Sequence, residues 1–134
     1  MIGWFSRRLI KKDEGVSAVE FAIIMPILLL LVIGIIEFGW LLNGYITLLG
    51  GAREGARQAV LGKNDLEIEA AVEDHTIDLV LSGDLNVDTT RGIPGEETIV
   101  IVSGDLPLLI GFFNFLDDPL NITVTATMRQ EIGF

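Results

Sequence analysis

The chain contains no cysteine and a single histidine, His75. Thiol catalysis, cysteine metal sites and disulfides are therefore excluded. A lone histidine gives no basis for assigning a serine–histidine–acid set or a zinc site. Basic residues are also scarce. Of nine Lys and Arg, four (Arg7, Arg8, Lys11 and Lys12) precede Gly15, so only five face seventeen acidic residues in the remainder. A body that acidic excludes binding to a phosphate backbone, which rests on clustered Lys and Arg. The last shortage is local: Phe21 to Ile36 carries no charge at all.

That uncharged stretch is what the rest of the chain is organised around. Extended to Leu42, it is about as long as the ~20 residues a helix needs to cross a bilayer. It also lacks the polar stripe of a core helix. Two carboxylates bracket it, Glu20 near its start and Glu37 near its end. A charge inside a bilayer costs at least about 2.5–3.5 kcal/mol, so each raises a functional question. The order of features differs from a secretory signal, in which small residues follow the apolar region. Here Gly15, Ser17 and Ala18 come first, preceded by the basic head. This order suits cleavage on the cytoplasmic side, with the apolar helix kept. The basic head places the N-terminus in the cytoplasm and the chain after Leu42 outside. Trp4 and Phe5 suit the lipid interface. Pro26, Gly34 and Gly39 are tolerated in a membrane helix and suit close packing.

Beyond Asn43 the helix is predicted to continue to Leu61. Leu41, Leu42, Tyr45, Leu48, Leu49, Ala52 and Ala56 recur at three- and four-residue spacing. Gly50–Gly51 predicts a bend or a tight contact, and Gly62 a helix stop. Arg53, Glu54 and Arg57 fall mostly on other faces. Glu54 and Arg57 are opposite charges at i,i+3, and the three residues are expected to make contacts between this helix and the head or a neighbouring subunit. Asn64 with Glu67 reads as a capping box opening a second helix that ends at Ser82–Gly83. Leu66, Ile68, Ala71, Val72, Ile77, Leu79 and Val80 are its predicted inner face. Leu85–Thr90, Thr98–Val102 and Leu120–Gln130 read as strands of an antiparallel meander, with Arg91–Glu96 a turn. The apolar loop Leu106–Leu116, with Phe112, Phe113 and Phe115, is expected to cover the sheet, with partner contact as the alternative. Asp84, Asn86 and Asp88 have the opening spacing of a calcium loop, but Thr89 and Gly95 break it where glycine and glutamate are required. Strand alternation explains the spacing equally well, and no metal site is assigned. Asn121-Ile-Thr123 is a glycosylation sequon lying in a predicted strand.

Gly15 followed by Val-Ser-Ala-Val-Glu-Phe resembles the processing site of type IV pilin-like precursors, in its tight-adherence (Flp-type) form. Gly-Ile-Ile-Glu-Phe-Gly at Gly34–Gly39, Ala-Arg-Glu-Gly-Ala-Arg at Ala52–Arg57 and Thr-Ala-Thr-Met-Arg-Gln-Glu at Thr125–Glu131 resemble, in that order, the TadE-like family of pilus-assembly pseudopilins. The resemblance implies cleavage by a prepilin peptidase between Gly15 and Val16. It implies assembly roles for Glu20 and Phe21, with Glu37 a second candidate that can be hydrated near the outer interface. The implied partners are prepilin peptidase, other pilins or pseudopilins, the pilus assembly platform and membrane lipid, with no nucleic acid and no cofactor. The expected fold is α+β. Residues 1–15 are a basic leader, 16–62 a transmembrane and amphipathic helix, and 63–134 a small extracytoplasmic head with a second helix and a three-stranded antiparallel sheet. The expected function is that of a non-catalytic minor pilin or pseudopilin of the inner membrane, single-pass, entering an extracellular filament after processing. The alternative is an unprocessed single-pass envelope protein with an acidic adaptor domain.

Overall fold

A computed structural model describes residues 3–93, 95–110 and 119–130, with side chains from Gly15 onward. Its element order is α1 (Gly3–Val60), α2 (Asp65–Thr76), β1 (Asn86–Thr90), β2 (Glu97–Leu106) and β3 (Leu120–Arg129). The fold is α+β. The chain divides into two compact units, Met1–Ile36 and Glu37–Phe134.

In the first unit α1 runs without a break through Pro26. Its large apolar side chains are exposed on every face, from Val19 and Phe21 through Ile27, Leu31 and Ile35. An aqueous surface of that kind is untenable. The stretch is long and apolar enough to cross a membrane, and none of it is buried within the chain.

The second unit has its own core. Three strands pair antiparallel in the order β1-β2-β3, as a meander requires. The register sets Val87 opposite Val102, Val102 opposite Val124, and Val100 opposite Ala126. Because side chains alternate across a strand, Thr98, Val100, Val102, Gly104 and Leu106 all face inward and are buried. The C-terminal part of α1 lies on this face. Its inward positions are mostly small: Gly44, Gly51, Ala52, Gly55, Ala56 and Ala59, with Leu48 the one large exception. A Cβ at Gly55 would meet Val72 Cγ2 at 2.8 Å and Val100 Cγ1 at 3.3 Å, and one at Gly50 would meet His75 Nε2 at 2.5 Å. Gly50 and Gly51 thus mark a tight contact, which takes α2 against α1. Gly62, at φ 80°, ends the first helix in a conformation that suits glycine.

Helix α2 opens as predicted. Asn64 Oδ1 accepts from the Glu67 amide at 2.9 Å, and Glu67 Oε2 accepts from the Asn64 amide at 3.2 Å. Its C-terminus and inner face differ from expectation. The helix stops at Thr76 rather than at Ser82–Gly83. The Thr76 hydroxyl donates back to the carbonyls of Val72 and Glu73, and the Leu79 amide closes a turn on the Thr76 carbonyl. Ile68, Val72 and Thr76 form the buried stripe. Leu66, Ile77 and Val80 are exposed, Leu66 at 78%: Leu66 lies off the one buried i,i+4 row, and Ile77 and Val80 lie beyond the helix end.

Strand β2 is twice as long as the sequence pattern indicated, extending through Ser103, Gly104 and Asp105 to Leu106. Those residues resemble a strand stop. Gly104 is kept because Leu81 fills the place of its side chain, at 3.1 Å from an added Cβ. Leu106 consequently belongs to the core and not to a loop. Phe112, Phe113 and Phe115 lie outside the described residues.

Candidate functional site

The residues singled out in the sequence fall into three places. Gly15, Val16, Glu20 and Phe21 occupy successive turns of α1 in the first unit, and all are exposed. Helical spacing puts Val16 and Glu20 on one face, one turn apart. Glu20 and Glu37 belong to different units and are nearly five turns apart in sequence at about 3.6 residues per turn.

Glu37 is the main surprise. It was expected to be a hydrated alternate for Glu20, but it is only 4% exposed. Its two carboxylate oxygens accept from consecutive backbone amides after β2, Oε1 from Leu109 at 2.7 Å and Oε2 from Ile110 at 2.9 Å. One turn on, Trp40 Nε1 donates to the Pro107 carbonyl at 3.1 Å. Two side chains of α1 therefore hold Pro107–Ile110 by its main chain. Each side of this clamp has a physical reason to seek the other. A carboxylate in an apolar run needs donors, and a chain leaving the end of a strand past a proline has amides without ladder partners. The isolated charge was visible in the sequence. Its partners, more than seventy residues away, were not, and neither was the role of Trp40.

The third group, Arg53, Glu54 and Arg57, is only partly brought together. Arg57 donates to both Glu54 oxygens, Nε at 3.0 Å and Nη2 at 2.8 Å, and Gln58 Nε2 donates to Glu54 at 2.6 Å. The Arg57 guanidinium, then the Gln58 amide, hold the Glu54 carboxyl down at about 2. This network is internal to α1 and faces solvent. Arg53 is exposed and stands apart from it. The charged contact between separate elements lies elsewhere: the Arg91 guanidinium, just after β1, binds the Lys63 carbonyl at 3.0 Å and pairs with the Asp65 carboxylate. At the same helix start Lys63 pairs with Glu67 at 3.0 Å. Lys63, then the Asn64 amide, hold the pKa of Glu67 below the usual carboxylate range.

Asn86 and Asp88 lie on the exposed side of β1, which accounts for their spacing with that of Asp84. Among the described residues no three His, Asp or Glu side chains are grouped as a metal site would need.

A long apolar helix that suits single-pass membrane anchoring, joined to a small α+β head, defines the class of this chain. Residues 15–57 match the family model described as TadE-like protein. The matched segment begins at the glycine of the predicted cut and ends at Arg57, so it contains every site residue named in the sequence. It points to a part in tight-adherence pilus assembly, in association with other components of that machinery. No curated protein and no solved structure matches the chain.

Proposed function

We propose that the chain is a non-catalytic minor pilin or pseudopilin of a tight-adherence system, cut by a prepilin peptidase between Gly15 and Val16 and then taken into, or priming, the filament. The observation that carries this reading is the family match over 15–57, which starts at the cut. The exposure of Gly15 and Val16 agrees with it. Cleavage would create an α-amine on Val16, cationic at neutral pH because its pKa is about 7.7–8.0. That amine lies one helical turn from Glu20, within the chain or across to a neighbouring subunit. Pairing would neutralise a carboxylate at the bilayer edge and set the axial register of one subunit on the next. The uncut precursor has no such amine, so processing would license assembly.

The test has two parts. Mass spectrometry of the membrane-extracted protein from cells with an active prepilin peptidase should find a chain beginning at Val16. An intact leader there would support the unprocessed envelope protein instead. Glu20→Gln should insert and be cut normally yet co-assemble poorly with the major pilin. Normal assembly of this variant would refute the register mechanism.

A further inference from the structure

The clamp at Glu37 has a position as well as a geometry. The uncharged run begins at Phe21, and the twenty residues Phe21–Trp40 amount to about 30 Å of helix, the thickness of a hydrocarbon core. A core that starts at Phe21 therefore still surrounds Glu37 and Trp40, and with them the segment they bind. In hydrocarbon a free carboxylate and free non-helical backbone amides are each costly, and irregular backbone is tolerated there only where its polar groups are satisfied within the protein. Glu37 meets that condition: its two oxygens take the amides of Leu109 and Ile110, and it is almost fully covered. Trp40 does the same for the Pro107 carbonyl. Large apolar side chains remain exposed beside the clamp. Leu109 is 54% exposed, and Phe38, Leu42 and Ile46 of α1 are exposed as well.

We propose that Pro107–Ile110 is a second membrane attachment, seated among the acyl chains of the leaflet on the head's side, with Leu109 in contact with lipid and Glu37 as the internal counter-group that lets the segment lie there. This rests on α1 spanning the bilayer. The occupant is lipid because Leu109 and, in the same unit, Phe38, Leu42 and Ile46 expose apolar side chains, and because the amide–carboxylate pairing removes the polar groups that water would otherwise solvate. The head is then held at two points, and release of Pro107–Ile110 must accompany its departure from the bilayer.

The absence of cysteine permits a direct test in the full-length chain. Leu109→Cys, Ile27→Cys and Ile93→Cys each give one site for a nitroxide label, in phosphatidylcholine vesicles. Ile93 precedes β2, whose ten residues separate it by about 30 Å from Leu106. It serves as the aqueous reference, and Ile27 as the mid-bilayer one. The ratio of collisions with oxygen to collisions with a water-soluble nickel chelate should be several-fold higher at Leu109 than at Ile93, approaching Ile27. Adding Glu37→Gln, which leaves one acceptor for two amides, should move the Leu109 ratio towards that of Ile93 and leave Ile27 unchanged. An aqueous Leu109 beside a lipid-exposed Ile27 overturns this inference alone. An aqueous Ile27 overturns the membrane-spanning reading as well. Shielding of Leu109 from both reagents, with dipolar broadening, would mean that a second copy covers it and that lipid does not. A Leu109 ratio unmoved by Glu37→Gln removes Glu37 from the attachment.

Discussion

Gly55 is where helix propensity and packing compete most openly, and the magnitudes decide the outcome. On an exposed helix, replacing glycine by alanine stabilises by about 1 kcal/mol. At Gly55 the added Cβ would sit 2.8 Å from Val72 Cγ2, 3.3 Å from Val100 Cγ1 and 3.5 Å from Ile68 Cγ2. None of these atoms can move away easily. Val72 and Val100 are fully buried, and β-branched side chains have few alternative rotamers. Overpacking of this kind costs about 1–3 kcal/mol. Gly55→Ala should therefore lose stability by about 1 kcal/mol net. Gly55→Val, with two more methyl groups and little gain in propensity, should lose about 2–3 kcal/mol. The chain has two tryptophans, Trp4 and Trp40, so a Trp4→Phe background leaves Trp40 as a fluorescence probe on the head. Urea titration of the full chain in detergent micelles should show the midpoint lowered by about 1–3 M in Gly55→Val, for a slope of about 1–2 kcal/mol per M. A midpoint raised by Gly55→Ala would mean that α1 does not pack on α2 and β2 as closely as described, and would refute the reasoning.

Three further outcomes follow from the caps and charges of the head. Asn64→Ala removes the acceptor for the Glu67 amide and should cost α2 about 1 kcal/mol, read as roughly fivefold faster amide exchange in its first turn. Glu54 has its pKa lowered on folding, from 4.5 to about 2, so its stabilising contribution is present above about pH 4.5 and is lost as pH falls towards 2. Urea midpoints measured between pH 7 and pH 2 should therefore fall less steeply in Glu54→Gln than in the wild type. Glu67 is shifted in the same direction, and Glu67→Gln should likewise flatten the acid limb.

Much of the architecture was determined by local chemistry. The membrane helix follows from an uncharged run with no polar stripe. The start of α2 follows from Asn64 and Glu67, which satisfy each other across one turn without help from elsewhere. The antiparallel sheet follows from the β-branched run Thr98–Val102 and the alternation in Leu85–Thr90 and Leu120–Gln130, and the helix stop from Gly62. The family motifs were legible because they are short and contiguous. Tertiary structure decided what contiguity cannot express. Leu66 is as apolar as Ile68 and Val72 and lies on the same helix, yet only the latter pair is buried, because the direction in which a helix faces is set by what it packs on. Gly104 reads as a strand break until Leu81 is seen to occupy its space. Glu37 was recognisable as a charge that needed a partner, but the partners are backbone amides, which every residue possesses. Only the return of the chain after β2 brings those of Leu109 and Ile110 to its carboxylate.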